Sequence, residues 1–462
     1  MAENYRNLVI GSGEGGKFLA WTLARRGEKT VVVERSMIGG ACPNIACLPS
    51  KNVIFSAKVA SLVAPNGGLG VVSGPFAVDM PGVARRKREM VDGLREVHLN
   101  NFKTSGAELV LGEARFIAPK TVEVSLHDGG SRELQGDRVF LCLGSRAAIP
   151  NVPGLTDAQP MTHVEALELE RLPEHLVVIG GGYVGLEFAQ AMRRFSSRIT
   201  IIQHGKQLLE REDPDVATAI ADVLREEGVD ILLEAELLNV SGRSGSGVEL
   251  RVRHGGSEKT LSASDILIAT GRTPNTDRIA LDRAGVELDA RRFIRVNDRL
   301  QTTAPDVWAM GDCAGSPQFT HVGYDDFRVV LSNLDGGSRS TRDRLIPYCL
   351  FTDPELAHVG LHETEAKSKG ISYRIAKIPM KSVLRTRTIS DTRGFAKALI
   401  APDDQILGFT ALGAEASEML AAVQTAMLGR LPYTKLKDAI FTHPTAAEGL
   451  VVLFSSPLSD KN

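Results

Sequence analysis

The feature that most constrains this chain is a local pattern that occurs twice. Residues 7–35 read "NLVIGSGEGGKFLAWTLARRGEKTVVVER": an apolar run, a glycine turn, an amphipathic stretch, then a second apolar run. Gly11, Gly13 and Gly16 fit G-x-G-x-x-G. In a strand–turn–helix setting, the first glycine permits the tight turn. The second lets backbone approach a pyrophosphate, and the third lets helix pack on strand. Phosphates would meet the helix N-terminus, where unpaired N–H groups and the helix dipole favour negative charge. Glu34 closes the second run, about twenty residues on, where a carboxylate can accept from ribose hydroxyls.

The pattern returns in "HLVVIGGGYVGLEFAQAMRRFSSRITIIQHG", residues 175–205, with Gly180, Gly182 and Gly185. Two such units predict two dinucleotides and electron transfer between them. The second unit ends on Gln203, followed by His204 and Lys206, with no acid at the strand end. A carboxylate there selects the free 2′-hydroxyl of NADH, whereas basic groups accept a 2′-phosphate. These residues therefore favour NADPH over NADH.

Two stretches bracket the second unit: "DRVFLCLGSRAAIPNVPG" before it and "DILIATGRTPNT" after it. Each is an apolar strand leading into a Gly-plus-Arg turn and then prolines, as expected for crossings between two domains. "DVWAMGDCAG" reads as a buried strand ending at Gly311-Asp312, where a carboxylate can meet a ligand. Beyond about residue 340, "LIPYCLFTDPELAHVGL", "FAKALIAPDDQILGFTALG" and "EASEMLAAVQTAML" predict an antiparallel sheet with helices.

Composition narrows the function classes. At 462 residues the chain is long for one domain. With 54 basic and 56 acidic residues, net charge −2, nothing selects a nucleic acid or an anionic membrane. No apolar run reaches the ~18 residues of a membrane span, and the N-terminal stretch lacks a signal core. A cytoplasmic protein is expected, where structural disulfides are rare.

Against that background, "GGACPNIACLPSKN" stands out, because Cys42 and Cys47 are two of only five cysteines. The spacing leaves open metal ligation, a redox pair or two core thiols. A structural zinc site wants four Cys or His ligands, and no second pair stands at metal spacing, so no metal site is expected. Cys142, Cys313 and Cys349 sit in apolar runs and read as core residues. His98 and His321 have no evident partner and read as structural or surface residues.

The ordered series G-S-G-E-G-G, the C-x4-C segment ending Pro49-Ser50-Lys51, L-G-S, G-G-G-Y-V-G-L-E, A-T-G-R-T-P-N, M-G-D and H-P-T-A-A-E resembles the dimeric pyridine nucleotide-disulfide oxidoreductases. These include dihydrolipoyl dehydrogenase, glutathione reductase and mercuric reductase, and the resemblance runs the whole length. It implies an α/β protein with two Rossmann-like domains and a C-terminal α+β dimerisation domain. The expected boundaries are 1–146 with 267–338 for the FAD-binding domain, 147–266 for the NAD(P)-binding domain and 339–462 for the interface domain. FAD is expected with Gly11, Gly13, Gly16, Glu34, Gly144 and Asp312. The nicotinamide dinucleotide is expected with Gly180, Gly182, Tyr183, Gly185, Gln203, His204, Lys206, Gly271 and Arg272.

The resemblance also implies roles. Cys47 resembles the thiolate against the flavin and Cys42 the interchange thiol that attacks substrate. His443 resembles the acid–base of the partner subunit's disulfide, oriented by Glu448. Lys51 and Glu187 resemble the ion pair beside the flavin ring, Tyr183 its shield, and Asp312 the holder of the ribityl chain. The His443–Pro444 bond is expected to be cis. Residues five apart on a regular helix are ~7.5 Å apart along its axis, beyond a disulfide's usual reach. Cys42 is therefore expected as the cap residue before Pro43, with Pro49 distorting the helix start. The Cys47 thiol pKa is expected to be lowered by the helix start and a nearby cation.

The expected substrate is a small or lipoyl-type disulfide, with mercuric reductase-like or quinone reduction as the alternative and a redox-responsive binding protein as a third reading. The final "VVLFSSPLSDKN" carries no cysteine pair of the kind mercuric reductases use, and the glycine motif begins at residue 11, so efficient mercuric reduction is not expected. Ala41, Pro43 and Ala46 depart from the commoner family pattern around the interchange thiol.

Overall fold

Strand alternation builds the first sheet of the computed structural model, which describes residues 2–64, 69–72 and 74–461. In β1 (Glu3–Ile10) and β2 (Thr30–Glu34), Leu8, Ile10, Val31 and Val33 enter one core. Val9 and Val32 enter another on the opposite face, with Leu19, Trp21 and Leu23 of the intervening helix α1 (Glu14–Arg25). A strand covered on both faces has no polar side to show, which is why these runs are continuously apolar.

The chain divides into two units. The first comprises 1–52, 82–148 and 271–344. In it, β1 pairs in parallel with β2 and with strand Ser131–Leu141, which pairs in turn with Val307–Ala309. Strand Glu108–Ala118 lies beyond β2 and turns through Thr121–Leu126 back to Ser131–Leu141 as an antiparallel meander. The expected crossing segments meet as a small ribbon, Ser145–Ala147 against Arg272–Pro274. The register aligns Ile10, Val33, Leu141 and Ala309 at one sheet edge, so the turns after them gather there.

The cysteine segment forms two helices, α2 (Ala41–Ile45) and α3 (Cys47–Val63). This corrects the expected local geometry. Gly40, not Cys42, is the cap of α2, and the break falls at Ala46, with φ −131° and ψ −105°. Pro49 occupies the first turn of α3, where its missing N–H would have had no helical partner, so it starts the helix rather than distorting it.

The second unit comprises 53–81, 149–270 and 345–462. Its β3 (His175–Ile179), α4 (Tyr183–Arg194) and β4 (Arg198–Ile202) repeat the β1–α1–β2 arrangement. They lie in a four-stranded parallel sheet with Asp230–Leu232 and Asp265–Ile268. A three-stranded antiparallel sheet, residues 236–263, shares a core with it through Val240, Leu250 and Ile266. The C-terminal part forms the expected antiparallel sheet, with Glu355–Gly360, Ile406–Gly413, Phe395–Ile400 and Tyr373–Pro379 paired in that order. Helix Ala416–Leu428 covers it through Met419, Leu420 and Val423. The His443–Pro444 bond is cis, as expected, and Asp353–Pro354 is also cis. Among the described residues, no helix is long and apolar enough to cross a membrane.

Candidate active site

The first glycine turn leaves no room for side chains. A Cβ on Gly11 would lie 2.3 Å from the Cys142 carbonyl oxygen, and one on Gly16 would lie 2.3 Å from that of Gly11. Gly11 also has φ +96°. Gly13 caps α1 without a side-chain hydrogen bond, so the helix presents bare backbone. Glu34, 6% exposed, ties the surrounding loops together. Its Oε2 accepts from Ser12 N at 2.9 Å and Ser12 Oγ at 2.6 Å, and its Oε1 from Ser36 N and Met37 N at 2.8 and 3.0 Å.

Gly144, with φ +64°, opens the neighbouring turn. Next to it, Ser145 Oγ donates to Asp312 and receives Arg272 Nε at 2.6 Å. Arg272 Nε also lies 3.7 Å from Asp312 Oδ2, and Gly271, φ +123°, lets the chain turn into that position. Burial pushes the Arg272 guanidinium below its ordinary pKa, opposed by the charges of Asp312 and Cys47. A bare helix start, a strand-end carboxylate and a second carboxylate on the same sheet edge fit the pyrophosphate, ribose and ribityl parts of a flavin dinucleotide. Lys17, buried beneath this turn, pairs with Glu14 at 2.7 Å and His98 Nε2 at 3.0 Å. That gives His98 a structural partner.

The break at Ala46 brings the thiols of Cys42 and Cys47 into hydrogen-bond contact. That bond to Cys47, then burial, push the Cys42 thiol up, while a hydrogen bond from Thr320 pulls it down. Thr320 Oγ1 lies 3.0 Å from Cys47 Sγ. Nothing in the sequence pointed to Thr320, which is 273 residues away from Cys47. Nor did it single out Asp326, fully buried, which accepts from Gly311 N at 2.7 Å, Ser316 Oγ at 2.8 Å and Arg344 Nη1 at 2.7 Å. Asp326 thus fixes the turn that carries Asp312. Cys142 and Cys313 are buried, and burial pushes Cys313 up to about 12, as inert core thiols require. Cys349 is half-buried against the C-terminal core.

In the second unit, Gly180 and Gly185 repeat the crowding. Added Cβ atoms would lie 2.4 Å from the Ala269 oxygen and 2.3 Å from the Gly180 oxygen. Gly182 caps α4 as Gly13 caps α1. Tyr183 donates from its hydroxyl to Glu212 Oε1 at 2.7 Å, and Tyr348 donates to the same oxygen at 2.8 Å. Burial, then the Glu212 charge, push both phenols up. Glu187 is buried and accepts from Phe351 N at 3.0 Å. Lys51 belongs to the first unit and Glu187 to the second. Gln203 turns inward, while His204 and Lys206 are exposed. His443, 61% exposed at its side chain, has Nδ1 3.0 Å from both oxygens of Glu448.

A family model for pyridine nucleotide-disulphide oxidoreductases matches residues 5–326. That for their dimerisation domain matches 346–453. The chain belongs to this family. The Escherichia coli K12 protein described as the probable pyridine nucleotide-disulfide oxidoreductase RclA is 36% identical, over 98% of this chain and 99% of its own length. The mercuric reductase of Acidithiobacillus ferrooxidans is 35% identical, over 96% of this chain and 80% of its own. The solved Cu(II) complex of the HOCl-induced flavoprotein disulfide reductase RclA superposes with TM-score 0.89 at 35% identity, covering 98% of this chain and 99% of that one. The chain is an oxidoreductase of this flavoprotein disulfide reductase type, in a family that uses FAD with NAD(P)H. Its two Rossmann-like parts and C-terminal α+β part agree with the expected fold class.

Proposed function

We propose that this protein is an NAD(P)H-dependent reductase that passes two electrons through Cys42 and Cys47 to a disulfide. The observation that carries the reading is the hydrogen-bonded thiol pair, with one sulfur at the start of a long helix. When bound, FAD would supply the cysteine pair with electrons drawn from the nicotinamide coenzyme. Gly11, Gly13, Gly16, Glu34, Gly144 and Asp312 would hold it, with Lys51 and Glu187 near its ring and Tyr183 as the shield. Gly180, Gly182 and Gly185 would hold the coenzyme's phosphates, and Gly271 and Arg272 belong to the same set of coenzyme residues. Domain limits at 146/147, 266/267 and 338/339 and a cytoplasmic location belong to the same reading.

In the dithiol form, Cys42 gives its proton to His443 and, as thiolate, attacks one sulfur of the substrate disulfide to form a mixed disulfide. The leaving thiolate takes a proton from His443. Cys47 then displaces the remaining substrate thiolate, closing the Cys42–Cys47 disulfide. Glu448 holds the imidazole by Nδ1, leaving Nε2 to carry the proton. The dimerisation domain supports a homodimer in which His443 serves the partner's pair.

A second reading takes a thiophilic metal ion as the acceptor. It is favoured by the mercuric reductases and by the Cu(II) complex among the relatives. No group of three or more His, Cys, Asp or Glu among the described residues is placed to hold a metal ion. Such an ion would be taken by the two sulfurs.

The deciding experiment gives lipoamide, glutathione disulfide, Cu(II), Hg(II) and a quinone to the protein with each nicotinamide, for wild type, Cys42→Ser and His443→Gln. The disulfide reading expects His443→Gln to lose disulfide turnover and keep metal and quinone turnover. Full turnover of every acceptor by Cys42→Ser would refute both readings.

A further inference from the structure

The second dinucleotide unit lacks an acid at its strand end, yet one is brought there from seven residues downstream. Gln203 takes the place that Glu34 has in the first unit. Its Oε1 accepts from Gly181 N at 2.8 Å, as Glu34 accepts from Ser12 N. The other end of the amide is turned outward, and Gln203 Nε2 donates to Glu210 Oε1 at 2.9 Å. Gly205 leaves room for this carboxylate, since a Cβ there would lie 2.1 Å from Glu210 Oε1. Gln203 is buried and fixed, whereas Glu210 is exposed at the rim of the strand end. Among the described residues the second Glu210 oxygen has no hydrogen-bond partner. The basic residues that suggested a 2′-phosphate site, His204 and Lys206, are exposed and form no part of this bridge.

We propose that Glu210, held by Gln203 beside Gly205, is the carboxylate that selects the free 2′-hydroxyl of the coenzyme's adenine ribose, so that the chain uses NADH in preference to NADPH. This deepens the reading of the second unit as the nicotinamide dinucleotide site and runs against the preference expected from Gln203, His204 and Lys206 alone. Glu210 replaces a strand-end acid. It accepts from the ribose hydroxyl, and its charge opposes a 2′-phosphate. His204, Lys206 and Arg211 are the cations of this loop, and the proposal requires that Glu210 outweigh them.

The test is calorimetric binding of ADP-ribose and 2′-phospho-ADP-ribose to the FAD-loaded protein, which needs no turnover. Wild type should bind ADP-ribose tighter by roughly tenfold or more, the scale expected of a like-charge contact. Glu210→Ala and Glu210→Gln should both bring the two ligands within about threefold, the second by removing charge while keeping an acceptor for Gln203. Equal or tighter binding of the 2′-phosphate form by wild type would overturn the proposal, as would an unchanged ratio in both variants. Because the fragments carry no electrons, failure of disulfide or metal reduction leaves this result standing, and the reverse also holds.

Discussion

Thr320→Val isolates what one hydroxyl does for the cysteine pair. Valine keeps the shape of threonine and removes the oxygen that lies 3.0 Å from Cys47 Sγ and that also lowers the Cys42 thiol. A hydrogen bond to a charged acceptor contributes about 1.5–3 kcal/mol. At 1.36 kcal/mol per pKa unit, losing it raises the pair's apparent thiol pKa by about one to two units. Well below that pKa, the thiolate fraction falls by about 10- to 100-fold, and because thiolate is the nucleophile, alkylation slows equally. The assay is the pH dependence of iodoacetamide alkylation of the reduced protein, with Cys42 and Cys47 peptides followed separately by mass spectrometry. The expected profile moves to higher pH, while flavin content and the melting temperature stay near wild type. An unmoved profile in a folded, flavin-loaded variant would refute the assignment of Thr320 to the thiolate.

Three further outcomes are expected. Gly16→Ala places a Cβ 2.3 Å from the Gly11 oxygen, so the purified protein should lose its flavin absorbance while far-ultraviolet circular dichroism persists. Glu212→Ala strips the shared acceptor from the Tyr183 and Tyr348 hydroxyls, at about 1–3 kcal/mol each. It should melt at a clearly lower temperature than Glu212→Gln, and equal melting temperatures would contradict this. Lys397, fully buried, bridges Asp213 at 2.8 Å and Asp215 at 2.7 Å. Burial alone would raise the Asp213 carboxyl, but Lys397 and the Thr364 and Glu363 amides hold it well below its usual range. A depressed carboxyl adds stability above its unfolded-state pKa, which is lost as pH falls through the folded-state value. Lys397→Met should therefore raise the midpoint of acid unfolding and cost about 3–5 kcal/mol at neutral pH, measured by urea titration at several pH values.

Much of the site was legible because its signals are local. Each glycine motif is read within thirty residues, since turn, helix start and strand end must follow one another to form one phosphate cradle. His443 and Glu448 were legible for the same reason, standing five positions apart with a cis proline between them and a 3.0 Å contact in the fold. The helix break was misplaced because prolines were the only visible cause of one. The backbone turns instead at Ala46, whose sequence carries no such mark.

The sequence by itself determined which pieces this protein has: two strand–turn–helix units, a thiol pair, and a His–Glu pair near residue 445. Only the tertiary structure decided what stands beside them. Thr320 reaches Cys47, Asp326 fixes the turn of Asp312, Glu212 gathers two tyrosines, and Gln203 holds Glu210. Covalent spacing sets which residues share a turn, whereas sheet register and helix packing set which distant side chains meet. Those meetings fix the electrostatics around the sulfur and at the rim of the second glycine turn.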